Sequence, residues 1–293
     1  MSTNWTLQGK TAVVTGGTGG IGLATAHGLA EQGAQVIIVG RDKTRGEEAA
    51  ARLQKETGNK AIVFAQADLS SQAEIRHVAQ QIVERYRQVH VLINNVGGLY
   101  AQRKLTVDGL ESTLAVTHLA PFLLTHLLLP TLKECAPARI INVNSASHRS
   151  GRIDFDDLQS ARNYDPMRAY SQAKLANLLV TYELARQLEG SGVSVNAADP
   201  GGAATDLARS EAMPALFRLI LPLLAKIMTV ERAAQSSLYF ASSTEIEGVT
   251  GKYVNARKKF IRSASSSYDV SLAQRLWNVS ASLTSNSNIV IRP

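Results

Sequence analysis

Two side chains that can move a proton lie one helical turn apart in the sequence, at Tyr170 and Lys174. Residues 168–188 follow a helical periodicity, so the phenol and the ammonium group share one face of the predicted helix. A free tyrosine titrates near pH 10, and a neighbouring positive charge stabilises its phenolate. The pair is therefore a candidate for acid–base chemistry, although this spacing alone also fits an exposed pair.

A glycine-rich stretch near the start of the chain predicts a site for a phosphate group. Gly16, Gly20 and Gly22 lie between a short β-branched run that starts at Thr11 and a helical pattern. Glycines at such a strand–turn–helix junction permit unusual backbone angles, close approach of a phosphate and tight packing of the helix on the strand. The N–H groups at the start of the helix are then free to bind an anion. A plain glycine-rich connection is the alternative, and the flanking strand and helix count against it.

The second predicted strand ends at Gly40-Arg41, and this ending bears on the choice of nucleotide. Dinucleotide folds that prefer NAD commonly carry an acidic residue there, which binds the ribose hydroxyls. An acid would repel the 2′-phosphate of NADP, whereas Arg41, together with Arg45, would attract it. A solvated arginine at the start of a helix is the alternative, and the upstream glycine loop favours NADP.

Apolar runs of strand length alternate with helical patterns along most of the chain. The predicted strands cover residues 11–14, 35–39, 61–65, 90–93, 139–143, 193–198 and 251–255. This alternation predicts one α/β domain around a doubly wound, Rossmann-type parallel sheet of about seven strands. Ligands gather at the carboxyl ends of such strands, and the motifs at those ends include Asp68-Leu69, Asn94-Asn95-Val96-Gly97 and Pro200-Gly201.

Composition and charge exclude several classes of protein. The net charge of +7 comes from scattered Lys and Arg residues, and aromatic residues make up only 5%, so no nucleic-acid surface is predicted and a phosphorylated ligand is favoured. A single cysteine, Cys135, excludes an intrachain disulfide and a cysteine-based metal cluster, and no metal site is predicted. Residues 1–8 hold no apolar core of a signal peptide, and we expect a cytoplasmic protein without an integral membrane span.

Three further segments carry predictions about organisation. Residues 107–136 are apolar-periodic and contain two prolines, which predicts one kinked helix or two. The apolar stretch 203–228 is predicted to be a lid over an apolar pocket, with a subunit contact or a weak membrane-surface contact as alternatives. Residues 263–293 are predicted to be a C-terminal extension beyond a catalytic domain of residues 1–262, with a final helix anchored by Trp277 and a partly disordered tail.

Five motifs, taken in order along the chain, resemble those of the short-chain dehydrogenase/reductase family. They are Thr15-Gly16-Gly17-Thr18-Gly19-Gly20-Ile21-Gly22, Asn94-Asn95-Val96-Gly97, Ser145, Tyr170-Ser171-Gln172-Ala173-Lys174 and Pro200-Gly201. Each is weak singly, but together they cover roughly residues 7–254 and make a strong joint signal. Ser145-Ala146-Ser147-His148, Phe155-Asp156-Asp157-Leu158-Gln159 and residues 169–177 resemble the retinol-dehydrogenase-like branch, whose substrates are apolar carbonyls and alcohols.

The resemblance implies hydride transfer between NADP(H) and a carbonyl or alcohol at a Ser-Tyr-Lys site. Tyr170 would exchange the proton, Ser145 would orient the carbonyl, and Lys174 would hold the nicotinamide ribose. The implied cofactor-binding residues are Gly16, Thr18, Gly20, Ile21, Gly22, Arg41, Asp68, Leu69, Asn95, Val96, Gly97, Tyr170, Lys174, Pro200, Gly201 and Thr205. Among these, Asp68 would meet the adenine, Asn95 would line the cleft, and Thr205 would approach the nicotinamide amide. His148 is predicted to be a structural hydrogen-bond partner rather than a base.

The sequence departs from the family pattern at two positions. Val96 stands where alanine is usual, and Thr117, the fourth catalytic candidate, stands where the family has a catalytic asparagine. That asparagine helps to hold a water that links the lysine to solvent. Thr117 therefore supports a second hypothesis, a non-redox descendant that is either an NADP-binding regulator or a site repurposed for isomerisation or elimination. The intact Ser145, Tyr170 and Lys174 favour the oxidoreductase, which we expect to form a homo-oligomer through its exposed helices.

Overall fold

A parallel β-sheet with helices on both faces forms the fold. The computed structural model describes residues 5–201 and 229–284, and within them seven strands follow the order β3-β2-β1-β4-β5-β6-β7. The strands are β1 (Thr11–Thr15), β2 (Gln35–Gly40), β3 (Ile62–Gln66), β4 (Val91–Asn94), β5 (Ala138–Val143), β6 (Val193–Ala198) and β7 (Tyr253–Val254). The strand order reverses between β1 and β4, as in a doubly wound fold, so the predicted fold class is confirmed.

Helices connect the strands and bury both faces of the sheet. They are α1 (Gly20–Glu31), α2 (Lys43–Thr57), α3 (Gln72–Tyr86), α4 (Ser112–Leu114), α5 (Ala120–Glu134), α6 (Pro166–Gln187), α7 (Val230–Ser242) and α8 (Val270–Leu283). Val13 and Leu92 belong to the core on the side of α3, α5 and α6, whereas their neighbours Val14 and Ile93 belong to the core on the side of α1 and α7. Successive side chains of a strand point to opposite faces, so a strand covered on both sides must be continuously apolar. This explains the uninterrupted apolar runs in the sequence.

The predicted kinked helix between β4 and β5 is continuous and contains one π-helical turn. This turn, Ala115–Leu119, separates α4 from α5 and carries Thr117. Pro121, which has no N–H to donate to the preceding turn, lies at the start of α5 just after the π-helical turn, and Pro130 lies inside the helix. Within the described residues, Ser112–Glu134 is long and apolar enough to cross a membrane, but 83% of its apolar window is buried inside the protein. The helix is therefore part of the core.

The chain after β7 packs onto the same core up to residue 284. The side chain of Asp269 caps α8 by accepting a hydrogen bond from the N–H of Leu272, and Trp277 is buried in an edge-to-face contact with Phe122, with the ring centres 5.2 Å apart. α8 is thus the final helix predicted around Trp277. The tail beyond residue 284 and the proposed lid at 203–228, including Thr205, lie outside the described residues and stay predictions.

Candidate active site

A cleft of about 510 Å³ opens along the carboxyl edge of the sheet. Residues one or two positions after the end of each of the strands β1 to β6 line it, as the rule for parallel sheets predicts. The predicted site residues that line the cleft are Gly16, Thr18, Gly20, Ile21, Arg41, Asp68, Leu69, Asn95, Val96, Gly97, Ser145, Tyr170, Lys174, Pro200 and Gly201. Gly22 and Thr117 lie behind this surface rather than on it.

The glycine loop between β1 and α1 is shaped for close backbone approach. Gly16 and Gly20 have φ angles of +64° and +53°, which only glycine adopts readily. A Cβ at Gly22 would lie 2.2 Å from the carbonyl oxygen of Gly16 and 2.5 Å from the Asn95 amide, so α1 can approach the loop only with glycine there. No side chain among the described residues caps the start of α1, and Gly20 and Ile21 in its first turn line the cleft with their N–H groups.

Asn95 joins the glycine loop to the end of β4. Its side-chain amide donates to the carbonyl oxygen of Thr15 at 3.0 Å, and its backbone N–H donates to the Thr15 hydroxyl at 3.0 Å. The same hydroxyl accepts from the N–H of Val96 at 3.1 Å. The loops after β1 and β4, which form the two walls of the cleft, are therefore held at a fixed separation.

Two arginines lie at the end of the cleft formed by β2 and α2. Arg41 directly follows β2 and is exposed, and Arg45 extends back over the glycine loop, where its Nε donates to the Thr18 carbonyl oxygen at 3.4 Å. A Cβ at Gly19 would lie 2.3 Å from the Arg45 guanidinium, which confirms how closely that group covers the loop. The arrangement concentrates positive charge at one end of the cleft.

Ser145, Tyr170 and Lys174 meet at the opposite end. The carboxylate of Asp165 caps α6 by accepting from the N–H of Arg168 at 2.7 Å, so α6 begins at Pro166 and carries Tyr170 and Lys174 on one buried face. The Lys174 ammonium lies 5.6 Å from the centre of the Tyr170 ring and donates to the Val143 carbonyl oxygen at 2.9 Å. The side chain of Ser145, at the end of β5, is hydrogen-bonded to Tyr170. The sequence pair is therefore buried in the cleft, and the exposed-pair alternative is wrong.

Burial sets the protonation of these side chains. It raises the pKa of Tyr170 well above its ordinary value, and the hydrogen bond with Ser145 opposes this only in part. Burial also lowers the pKa of Lys174 to about 8. The sequence predicted a phenolate stabilised by the neighbouring ammonium group, but in the free protein the loss of solvation dominates. Tyr170 is consequently a neutral phenol at pH 7, ready to donate a proton.

Asp199 is a buried acid beside this group that sequence reasoning missed. It accepts a hydrogen bond from the Tyr253 hydroxyl at 2.6 Å and from the N–H of Gly201 at 2.8 Å. Its negative charge raises the pKa of both Tyr170 and Lys174, so it favours the protonated form of each. Its position at the end of a predicted strand, β6, is the sequence signal that could have identified it as a site residue.

Several apolar and aromatic side chains also line the cleft without having been predicted. Leu99 and Tyr100 follow the Asn-Asn-Val-Gly motif, and Val116 precedes Thr117 in the π-helical turn. Met167 lies on α6, three residues before Tyr170 and hence on the same side of the helix. Their closeness in sequence to recognised motifs is the signal that would have found them.

Thr117 is fully buried and fixes the backbone behind Gly97. Its hydroxyl lies 3.1 Å from the N–H of Gly98, from which it accepts, and 3.3 Å from the carbonyl oxygen of the same residue, to which it donates. The side-chain amide of Asn177 donates to the Thr117 carbonyl oxygen at 3.0 Å. A Cβ at Gly97 would lie 3.6 Å from the Lys174 ammonium and 3.7 Å from the Thr117 hydroxyl, so both groups border one small space.

A family model described as short chain dehydrogenase matches residues 10–214, most of the chain. The protein belongs to the short-chain dehydrogenase family. Human (Homo sapiens) retinol dehydrogenase 12 is 42% identical over 96% of this chain and 88% of its own length. Human retinol dehydrogenase 13 is 42% identical over 95% of this chain and 85% of its own length. The resemblance to the retinol-dehydrogenase-like branch is thereby confirmed.

Solved structures show the same dehydrogenase architecture. The crystal structure of an uncharacterized protein from Mycobacterium paratuberculosis is 33% identical and covers 97% of this chain and 98% of that one, with a TM-score of 0.78. The RhlG/NADP active-site complex of Pseudomonas aeruginosa is 27% identical and covers 87% and 97% of the two chains, with a TM-score of 0.69. The structural similarity to these two proteins covers the sheet and the helices that form the cleft.

Replacing Thr117 of this short-chain dehydrogenase with asparagine is expected to change turnover by less than about tenfold, or ~1.4 kcal/mol of barrier height. An asparagine amide can both accept from and donate to the Gly98 backbone, as the threonine hydroxyl does. Thr117→Val keeps the shape but removes both bonds, and we expect it to lower turnover further than Thr117→Asn does. Steady-state rates of the three proteins measure this. If the unmutated protein shows no turnover and Thr117→Asn gives a measurable rate, the expectation is contradicted and the non-redox hypothesis is favoured.

Proposed function

We propose that this short-chain dehydrogenase is an NADP(H)-dependent oxidoreductase that interconverts a carbonyl and an alcohol on an apolar small molecule. Ser145, Tyr170 and Lys174 carry the reaction. One observation supports this above the others: one cleft holds a glycine loop suited to a diphosphate, two arginines at one end, and a half-buried serine beside a buried tyrosine and lysine at the other. Hydride transfer to a carbonyl requires both a nucleotide site and a proton donor, and this cleft offers the two together.

The residues of the cleft fit an NADP molecule. The glycine loop and the start of α1 would hold the diphosphate, because their backbone N–H groups face the cleft and the positive φ angles leave the loop open. Arg41 and Arg45 would pair with the 2′-phosphate, and Asp68 and Leu69 would contact the adenine. When bound, the nucleotide supplies or accepts the hydride.

The chain's own side chains then manage the charge that develops on the carbonyl oxygen. In the reductive direction the Ser145 hydroxyl donates a hydrogen bond to that oxygen and orients it. Tyr170 donates its proton, which completes the alcohol and leaves a phenolate. The ammonium group of Lys174 stabilises the phenolate and, by way of the nicotinamide ribose that it would hold, keeps the reacting groups aligned. Oxidation of an alcohol follows the same steps in reverse.

An apolar substrate is supported by the unpredicted lining of the cleft. Leu99, Val116 and Met167 offer apolar surface in the cleft that holds Ser145 and Tyr170. Pockets of this kind take their affinity from apolar area and their orientation from a few polar groups. The names of the related retinol dehydrogenases agree with a substrate of this class.

The rate of carbonyl reduction, measured as kcat/KM, is expected to be constant at neutral pH and to decline above about pH 8. The pKa of Lys174 is about 8, and its ammonium form, which stabilises the Tyr170 phenolate, is lost as the pH rises through that value. The profile is measured with saturating NADPH, and the Kd of NADPH at each pH controls for weaker cofactor binding. A profile that stays flat well beyond this pH would show that the reaction does not need the Lys174 ammonium group.

A panel of apolar ketones and aldehydes tests the proposal as a whole. Incubation with NADPH should give a loss of its absorbance with at least one member of the panel. The second candidate, a non-redox NADP-binding protein, is favoured by Thr117 alone. Tight binding of NADPH without turnover of any member would support that candidate and contradict the proposal.

A further inference from the structure

Two buried histidines connect the active site to the C-terminal segment, defined here as residues 263–284. His148 follows Ser145 by three residues, and His118 is the neighbour of Thr117 in the π-helical turn. Both are at most 1% exposed, and each has one ring nitrogen bonded to the C-terminal segment. The segment lies outside the part of the chain that the family model matches.

The hydrogen bonds of His148 determine its tautomer. The backbone N–H of Ala264 donates to Nε2 at 3.1 Å, so Nε2 carries no proton. The carbonyl oxygen of Ser145 lies 2.7 Å from Nδ1 and can only accept, so Nδ1 carries the proton. Burial lowers the pKa of His148, which agrees with a neutral ring. His148 therefore connects the segment to the backbone of Ser145.

The opposite tautomer follows for His118. Its Nε2 lies 2.7 Å from the Ser280 hydroxyl, and that hydroxyl donates its single hydrogen to the Leu276 carbonyl oxygen at 2.8 Å. With its hydrogen on that bond, the hydroxyl accepts from an Nε2–H group of His118. Burial lowers the pKa of His118 to about 3, so the ring stays neutral at any pH at which the protein would be assayed. Ser280 on α8 thus fixes the residue next to Thr117.

The C-terminal segment is itself bonded to the core, which it must be in order to fix the position of an active-site residue. Tyr268 stacks on Tyr182 of α6 with ring centres 5.2 Å apart, and the Tyr182 hydroxyl bonds that of Ser263 at 2.8 Å. Side chains of α3 bond the last carbonyls: Gln72 donates to Leu283 at 2.9 Å, and Arg76 donates to Thr284 at 2.6 Å. Both ends of the segment are therefore attached to helices of the core.

We propose that the C-terminal segment is a positioning element of the active site, which holds the turn of Ser145 through His148 and the turn of Thr117 through His118. This inference rests on the proposed function, since it takes both turns to be catalytic. Apolar burial alone would give the segment a structural role. The two polar contacts end at the backbone of the site, however, and small displacements there lower rates far more than they lower stability.

Two substitutions separate the bonds of His148. An asparagine amide lies two bonds from Cβ, as Nδ1 does, so His148→Asn keeps the bond to Ser145 and loses the one to Ala264. A glutamine amide lies three bonds from Cβ, as Nε2 does, so His148→Gln keeps the bond to Ala264 and loses the one to Ser145. We expect both variants to lower kcat by about tenfold or more, with the KM for NADPH within about twofold. A kcat of His148→Asn equal to that of the unmutated protein would overturn the proposal.

Ser280→Ala removes the acceptor of His118 and has a matched control on α7. Ser236 is likewise buried and donates to a carbonyl of its own helix, but among the described residues its hydroxyl bonds none of the active-site turns. We expect both variants to lower the Tm to a similar degree, and Ser280→Ala alone to lower kcat, by about tenfold. Amide hydrogen exchange should accelerate in residues 115–119 of this variant and not of the control. Equal kcat values for the two variants, measured well below the Tm of each, would contradict the proposal.

Histidine nitrogen NMR of the unmutated protein tests the contacts without any assay of turnover. We expect a protonated Nδ1 for His148 and a protonated Nε2 for His118, and a protonated Nε2 for His148 would overturn the inference, because it excludes the bond from Ala264. If Tyr170→Phe abolishes turnover while His148→Asn and Ser280→Ala do not change kcat, the positioning role fails and the proposed function stands. If the unmutated protein reduces nothing, the proposed function fails, and so does the catalytic role of the segment, whatever the tautomers.

Discussion

Replacing Tyr170 with phenylalanine is expected to lower turnover by ~10²–10⁴-fold, the usual contribution of a general acid. The substitution keeps the buried ring and removes only the hydroxyl, which is a neutral phenol in the free protein because burial raises its pKa. Without that proton, the charge that develops on the carbonyl oxygen must be neutralised by a proton from solvent. The affinity for NADPH should stay within about twofold, because the ring and the Lys174 ammonium remain in place.

A second tyrosine provides the control for this variant. Tyr239 lies on α7, away from the cleft, and its hydroxyl contacts only the Glu245 carboxylate among the described residues, at 3.4 Å. Tyr239→Phe should leave both kcat and the Kd of NADPH unchanged. Steady-state rates and a fluorescence titration with NADPH measure the two variants side by side. Carbonyl reduction that survives Tyr170→Phe within a few-fold would show that another group donates the proton.

Replacing Arg41 with aspartate is expected to weaken NADP binding by about 10²-fold or more, because one charged partner of the 2′-phosphate is lost and a repulsive charge replaces it. The affinity for NAD should stay the same or improve, since a carboxylate at the end of β2 can bind the ribose hydroxyls. Arg45→Ala should have a smaller effect in the same direction, because Arg45 also bonds the glycine loop and its loss introduces no negative charge. Calorimetric titration with each nucleotide measures both variants.

Arg52 offers the matched control for the charge reversal. It lies on the same helix as Arg45, on the exposed side, and pairs with Glu56 at 2.9 Å. Arg52→Asp changes the net charge as Arg41→Asp does, so a loss of NADP affinity common to both would reflect long-range charge alone. If the unmutated protein binds NAD as tightly as NADP, the assignment of Arg41 is wrong.

The sheet and the nucleotide end of the cleft could be predicted from the sequence because each follows from a local pattern. A strand covered on both faces must be continuously apolar, and a turn with positive φ angles next to a helix start must be rich in glycine. The position of the motifs followed as well, because the carboxyl ends of parallel strands share one edge. Local pattern thus sufficed to place Gly16, Arg41 and Asn95 at the cleft.

The remaining features depend on tertiary environment, which no local pattern encodes. The π-helical turn at Thr117 has the same apolar spacing as an α-helix, so the sequence indicated a kinked helix and no more. The raised pKa of Tyr170 reflects burial, whereas the Tyr-Lys spacing pointed to a lowered one. The partners His118 and Ser280 are 162 residues apart, and only the packing of α8 brings them together.

Transfer of deuterium from labelled cofactor tests the central claim most directly. The protein is incubated with NADPH deuterated at the transferable position of the nicotinamide and with an apolar ketone that it consumes, and the alcohol is analysed by mass spectrometry. The account predicts one deuterium on the carbinol carbon of each product molecule, and at least about 10²-fold less product in the same time with Tyr170→Phe. Product without deuterium, or deuterated product formed equally well by Tyr170→Phe, would contradict hydride transfer at the Ser145, Tyr170 and Lys174 site.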